Sequence, residues 1–262
     1  MSRYPNEHSQ RACLESAYRA LKACRKEMPA PRRDDLDQCP ATLQTTLRRL
    51  ALLMDVVKLE GRQVLLLGDD DLLSVAISAS QLSTHVTVLD IDQLLLSCIA
   101  HSTKHETVEV FHHDLRQGLP VKMTAHYDVV FTDPPYTHAG QLVFLRSAMM
   151  ALRNTGTSSL FLCASRLYLE AHQIQKIISL AEHAGLRLLK IEEDFNKYKA
   201  PPNVIDDLHR RAPSKTSSYF YSSLLHFVPG GYMYDPESLP FLPADIYRYD
   251  MFGINEIEQS SH

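Results

Sequence analysis

The chain is expected to fold as an α/β domain around a largely parallel sheet. Two observations predict this. Short, continuously apolar runs such as Val64–Leu67 recur along the chain, separated by helix-length segments with apolar positions every three or four residues. Carboxylate-bearing turns follow the first four of these runs, at the strand ends where open α/β sheets bind ligands.

Residues 11–27 (RACLESAYRALKACRKE) carry apolar positions at helical spacing and stop before Pro29 and Pro31. Residues 30–40 read as a polar, proline-flanked linker. Residues 41–59 read as a second helix, because Leu43, Leu47, Leu50, Met54 and Val57 recur at helical intervals. After Gly61 the pattern changes to strand 64–67, helix 71–81, strand 85–89, helix 92–102, strand 107–111 and strand 127–131. A helix over 139–152, a strand over 159–163 and a helix over 167–184 follow. The strand candidates 186–191 and 219–228 have no long helix between them, so they are expected to pair antiparallel at one edge, joined by a polar loop over 195–217. Seven strands with the last reversed is the Rossmann-like arrangement of adenosylmethionine-dependent transferases. Three regions are expected: helical 1–60, a Rossmann-like domain over 61–228, and an irregular tail over 229–262.

Composition narrows the function classes. Of 262 residues, 45% are hydrophobic and 22% charged, which supports a full core and argues against general disorder. The net charge of −4 gives no support for broad electrostatic binding to nucleic acid. The pair Arg210-Arg211 with Ser214-Lys215 reads as a solvated basic loop. Five cysteines, at 13, 24, 39, 98 and 163, lack CxxC spacing, so neither a disulfide framework nor a metal site is expected. The N-terminal MSRYPNEHSQ lacks the apolar core of a signal peptide, and no apolar run reaches the ~20 residues of a membrane span. A cytoplasmic protein is expected.

Four turns carry the chemistry. Gly68-Asp69-Asp70-Asp71 replaces the glycine-rich turn of a nucleotide-binding sheet with one glycine and three acids. Such a turn suits a cation, or else caps the following helix. Asp90-Ile91-Asp92 places an acid about 20 residues beyond the first turn, where ribose hydroxyls are held. Asp90 is the ribose candidate and Asp92 reads as a nucleoside contact or a helix cap. In His113-Asp114-Leu115-Arg116, Asp114 can accept from an adenine amino group, with Leu115 beside it; the alternative is a charged loop. Asp133-Pro134-Pro135-Tyr136 is the most specific signal. Its prolines stiffen the backbone and withhold two N–H donors, leaving a carboxylate and carbonyls to hold an amine with its lone pair aimed at an electrophilic carbon. Tyr136 can cover that amine. The plainer reading is a rigid turn.

Taken in order, GDDDL, VLDID, HHDLRQGLP and YDVVFTDPPYTHAG resemble the branched-chain polyamine synthases, the N4-bis(aminopropyl)spermidine synthase family, over roughly residues 61–165. The resemblance implies transfer of an aminopropyl group from decarboxylated S-adenosylmethionine to a spermidine-like polyamine nitrogen, without a metal. It implies that Asp69, Asp70 and Asp71 hold amines of donor or acceptor, with Asp71 at the reacting centre. It assigns Asp90 to the ribose, Asp114 to the adenine, and Asp133, Pro134 and Tyr136 to the attacking nitrogen. It suggests a homodimer, with the leucine-rich N-terminal helices as the contact. Family members are generally longer and begin with a winged-helix-like domain, whereas only about 60 residues precede the first strand here. The competing readings are an amino methyltransferase using ordinary S-adenosylmethionine, which DPPY fits equally well, and a non-catalytic binding protein. If the acidic reading holds, the triple-aspartate and double-proline turns share one cavity.

Overall fold

The computed structural model describes residues 7–28, 36, 38–200, 205, 218–231, 234–240 and 246. The basic loop around Arg210 and most of the C-terminal tail lie outside these residues. Along the chain run α1 (Glu7–Glu27), α2 (Leu43–Val56), β1 (Gln63–Leu67), α3 (Leu73–Ala79), β2 (His85–Asp90), α4 (Gln93–Ser102) and β3 (Val108–His112). They are followed by β4 (Val129–Thr132), α5 (His138–Ala151), β5 (Ser159–Ala164), α6 (Ala171–His183), β6 (Leu186–Lys199) and β7 (Tyr219–Pro229). No helix among the described residues is long and apolar enough to cross a membrane.

The seven strands form one sheet in the order β3-β2-β1-β4-β5-β7-β6. Strands β1 to β5 pair in parallel, and β7 lies antiparallel between β5 and β6. This is the Rossmann-like, methyltransferase-type sheet expected, with the reversed strand inserted beside the edge rather than closing it. Successive strand residues feed opposite layers, as the period of two requires. Leu65, Leu67, Val130, Leu160 and Leu162 pack with α5 and α6, whereas Val64, Leu66, Val88, Val129 and Phe161 pack with α1 to α4. Ala17, Leu21, Leu50 and Leu53 of the two N-terminal helices belong to that second core, so they cover the sheet directly.

One expectation is overturned. The polar stretch from residue 195 begins as strand: β6 continues to Lys199, paired with β7 as far as Tyr219. Register shifts lie between Leu188 and Lys190 and between Glu192 and Asn196, and Asp194 takes a positive φ of 50°. These irregularities break the apolar alternation by which a strand is recognised, while β7 still satisfies the backbone. The sixth helix begins at Ala171, not 167, because Glu170 and Gln173 form a reciprocal capping box there.

Candidate active site

Strand register explains why the acidic turns meet. Leu67 at the end of β1 pairs with Leu89 on one side and Thr132 on the other. The next residues, Gly68, Asp90 and Asp133, therefore leave three adjacent strands at the same level. The Thr132 hydroxyl donates to the Leu67 carbonyl at 2.9 Å, fastening the two central strand ends together. A cavity of about 780 Å³, counting its open mouth, lies above them. Gly68, Asp70, Asp90, Leu115, Asp133, Pro134 and Tyr136 all line it, so the triple-aspartate and double-proline turns share one space. Gly68 has φ +72°, the left-handed region that favours glycine and lets the chain turn sharply off β1.

The remaining predicted residues stand behind or beside the cavity. Asp69 caps α3: its carboxylate accepts from the backbone of Leu73 (2.7 Å) and Ser74 (3.1 Å), and from the Ser74 hydroxyl. Asp92 caps α4 through the Leu94 and Leu95 amides and accepts from the Gln38 side chain at 2.9 Å. Asp114 accepts from Arg116 at 2.7 Å near the surface, and burial offset by that guanidinium leaves its pKa below the usual carboxylate value. Asp71 is 2% exposed and is engaged by the Ala41 amide and the Arg49 guanidinium.

Arg49 and its surroundings escaped the sequence reading. This arginine sits on the buried stripe of α2 and is 1% exposed. It pairs with Asp71 and, at 2.7 Å, with Asp133. It also donates to Asn196 Oδ1 at 2.8 Å and to the Tyr198 hydroxyl at 3.1 Å. The phenol of Tyr198 donates to Asp133 Oδ2 at 2.5 Å, and that of Tyr136 to Asp133 Oδ1 at 2.9 Å. Ser222 bonds Tyr198 at 2.9 Å and accepts from Asn196 at 3.0 Å. Both oxygens of Asp133 are thus held, and its plane is fixed. The α2 N-terminus is anchored to the same parts: Thr46 donates to the Asp71 carbonyl at 3.0 Å and Thr42 to the Lys197 carbonyl at 2.8 Å.

The electrostatics follow from burial and crowding. Burial raises the pKa of Asp69 to about 7 and of Asp90 to about 6. Burial, reinforced by Asp71, Asp133 and Asp90, pushes Asp70 well above the carboxylate range. Asp133 is raised by burial and pulled back by Arg49. Burial and the neighbouring Asp133 carboxylate also raise Tyr136 and Tyr198, so both phenols stay protonated donors. Among the described residues no hydrogen bond or ion pair reaches the Asp70 carboxylate, although it faces the cavity. No lysine or arginine among them lines that space. Leu36, Leu89, Ile91, Leu115 and Phe144 supply an apolar wall for a flat ring.

The family model for the branched-chain polyamine synthase A C-terminal domain matches residues 16–225. An N(4)-bis(aminopropyl)spermidine synthase from Thermococcus kodakarensis is 33% identical over 183 residues, 68% of this chain and 51% of that enzyme. One from Thermus thermophilus is 36% identical over 124 residues, covering 47% of this chain and 36% of its own length. The chain thus spans about half or less of the curated relatives it matches. The crystal structure of the Thermus thermophilus branched-chain polyamine synthase, in complex with N4-aminopropylspermidine and 5′-methylthioadenosine, superposes with a TM-score of 0.73. It is 26% identical, and the match covers 81% of this chain and 63% of that one. With the family model matching residues 16–225, most of its length, the chain belongs to the branched-chain polyamine synthase family, matching that family's C-terminal domain.

Proposed function

We propose that this chain transfers an aminopropyl group from decarboxylated S-adenosylmethionine to an amine nitrogen of a spermidine-like polyamine. The observation that carries the reading is the Asp70 carboxylate, which faces the Asp133 turn across a cavity; among the described residues it has no hydrogen-bond or ion-pair partner, and no lysine or arginine lines that space. A cationic amine is welcome there, while the carboxylate of ordinary S-adenosylmethionine would meet like charge, so discrimination arises partly from repulsion. The relatives support it: the matched enzymes are named N(4)-bis(aminopropyl)spermidine synthases, and the Thermus structure is a complex with N4-aminopropylspermidine and 5′-methylthioadenosine.

The residues fit such a donor. Asp90 keeps one backbone amide on each carboxylate oxygen, from Asp92 at 2.8 Å and Asp69 at 3.1 Å, and retains lone pairs for ribose hydroxyls. Leu115 and Phe144 would take the adenine face, with Asp114 and Asp92 at its rim. When bound, the donor supplies a carbon made electrophilic by its sulfonium. Asp133, fixed by two phenols and Arg49, orients the acceptor nitrogen and accepts its proton, because a secondary ammonium attacks only once neutral. Prolines 134 and 135 offer no N–H, so no backbone donor competes for the nitrogen lone pair. Tyr136 covers the amine. The new C–N bond forms as the C–S bond breaks, and the electron pair departs with sulfur.

Mass spectrometry of polyamines incubated with each donor tests this. An aminopropyl increment from the decarboxylated donor is expected. A methyl increment from ordinary S-adenosylmethionine, with none from the other donor, would replace this reading with amino methyl transfer.

A further inference from the structure

We infer that Arg49 is a positioning residue for this reaction, its forked guanidinium clamping the acid of the triple-aspartate turn to the acid of the double-proline turn. The inference rests on the reaction proposed above and adds α2 to its machinery.

A buried cation behind a site built for cations calls for an explanation. If only fold stability were at stake, apolar side chains of similar volume would serve as well as a buried ion pair or better. Arg49 instead contacts three separate segments. Nη1 meets Asp71 of the β1–α3 turn, Nη2 meets Asp133 after β4 and Tyr198 of β6, and Nε meets Asn196 of β6. Its guanidinium carbon lies 5.0 Å over the Phe131 ring of β4, which fixes the plane of the fork. A planar fork can face two carboxylates in two directions, whereas an ammonium is a point charge on a flexible stem. Arg49 does not line the cavity, so it leaves Asp70 and the open side of Asp133 to the substrate.

Removing the guanidinium would leave Asp71 and Asp133 as neighbouring like charges. The groups that then surround Asp133 are Asp70 and Asp71 after β1, Asp90 at the end of β2, Cys163 on β5, Tyr136 of its own turn, Tyr198 on β6 and His113 across the cavity. Among the described residues Arg25 of α1 is another nearby cation, and its influence falls on Asp71 and Asp70 while its Nη2 donates to the Ala41 carbonyl at 2.6 Å. Without Arg49, Asp133 would therefore keep its proton to higher pH and lose one of the three donors that fix its orientation.

The test compares the full chain with Arg49→Gln and Arg49→Lys, using decarboxylated S-adenosylmethionine and spermidine over a range of pH. Carbon NMR follows the aspartate carboxyls in parallel, with the Asp133 signal identified by its loss in Asp133→Asn. In Arg49→Gln, the acid limb of kcat and the Asp133 titration should both move up by about one pH unit or more. The neutral-pH kcat should fall about tenfold, with less change in donor KM. In Arg49→Lys, the titration should return towards wild type while kcat stays depressed, since charge is restored and the fork is not. An unmoved limb and titration in Arg49→Gln overturn the inference, even if activity falls equally at every pH, because a merely structural residue behaves that way. Should Arg49→Gln not fold, Arg49→Lys decides alone: full kcat overturns the clamp, and depressed kcat with a wild-type titration supports it. A wild-type chain that forms no aminopropyl product defeats the functional reading, and the NMR titration then reports separately whether Arg49 governs Asp133.

Discussion

Asp70 and Asp71 are the same residue type at adjacent positions, yet they face opposite circumstances. Asp71 is enclosed, with Arg49 and the Ala41 amide against its carboxylate. Asp70 has no such partner among the described residues and faces the cavity. The acidic cluster thus has an inner half, Asp71 and Asp133 gathered around a guanidinium, and an outer half, Asp70 and Asp90, directed at the space a ligand would fill. The partner a charge meets, rather than its identity, decides whether it braces the fold or awaits a ligand.

The sharpest way to break this division is to neutralise each neighbour in turn. Asp71→Asn removes one of the two carboxylates paired with the buried Arg49 and should cost about 3–5 kcal/mol of stability, read from urea midpoints. A fully stable variant would show that the inner half is not structural. Asp133→Asn changes an inner acid that also lines the cavity. It should keep the thermal shift given by methylthioadenosine while turnover falls by about a hundredfold or more. Undiminished turnover would remove Asp133 from the chemistry. Asp70→Asn should leave the melting temperature nearly unchanged and raise KM for a cationic substrate about tenfold, the worth of one hydrogen bond to a charged group. An unaltered KM would transfer substrate recognition away from the outer half.

Acidity supplies a finer comparison. Asp69 and Asp90 have pKa values raised by burial to about 7 and about 6. For acids shifted upward, folding favours the protonated form. Their contribution to stability is therefore largest below about pH 4 and is lost as pH rises towards 6 and 7. Calorimetry of the ligand-free chain should register that decline. Over the same interval the stabilisation by decarboxylated donor should grow, since ionised carboxylates bind the cation. At a hundredfold excess over its dissociation constant such a ligand adds about 2.7 kcal/mol, and ordinary S-adenosylmethionine should add less. Equal shifts from both donors would argue against recognition by charge.

Much of this was legible in residue order. Continuous apolar runs such as Val64–Leu67 and Ser159–Cys163 mark strands buried on both faces, and the acids that follow them lie where strand ends must be. Register then brings Gly68, Asp90 and Asp133 to one level, which motif order alone suggested. Arg49 was hidden because Arg48-Arg49 looks like a solvated interruption in a leucine-rich helix. Only the tertiary meeting with Asp71 and Asp133 makes one of the pair a buried residue. Asn196 and Tyr198 were hidden for a different reason. Two register shifts in β6 erase the alternation that would have declared them part of a strand.

The placement of β7 between β5 and β6 bears on how the protein is made. Asn196, Tyr198 and Ser222 reach the acidic cluster only when these two strands pair, and their partners lie as far back as Arg49. On a ribosome, the aspartates emerging early would remain hydrated until the last strand clears the exit tunnel, and closure over such sequence distances is slow. Closure of the charged interior therefore requires that both β6 and β7 have been made and paired.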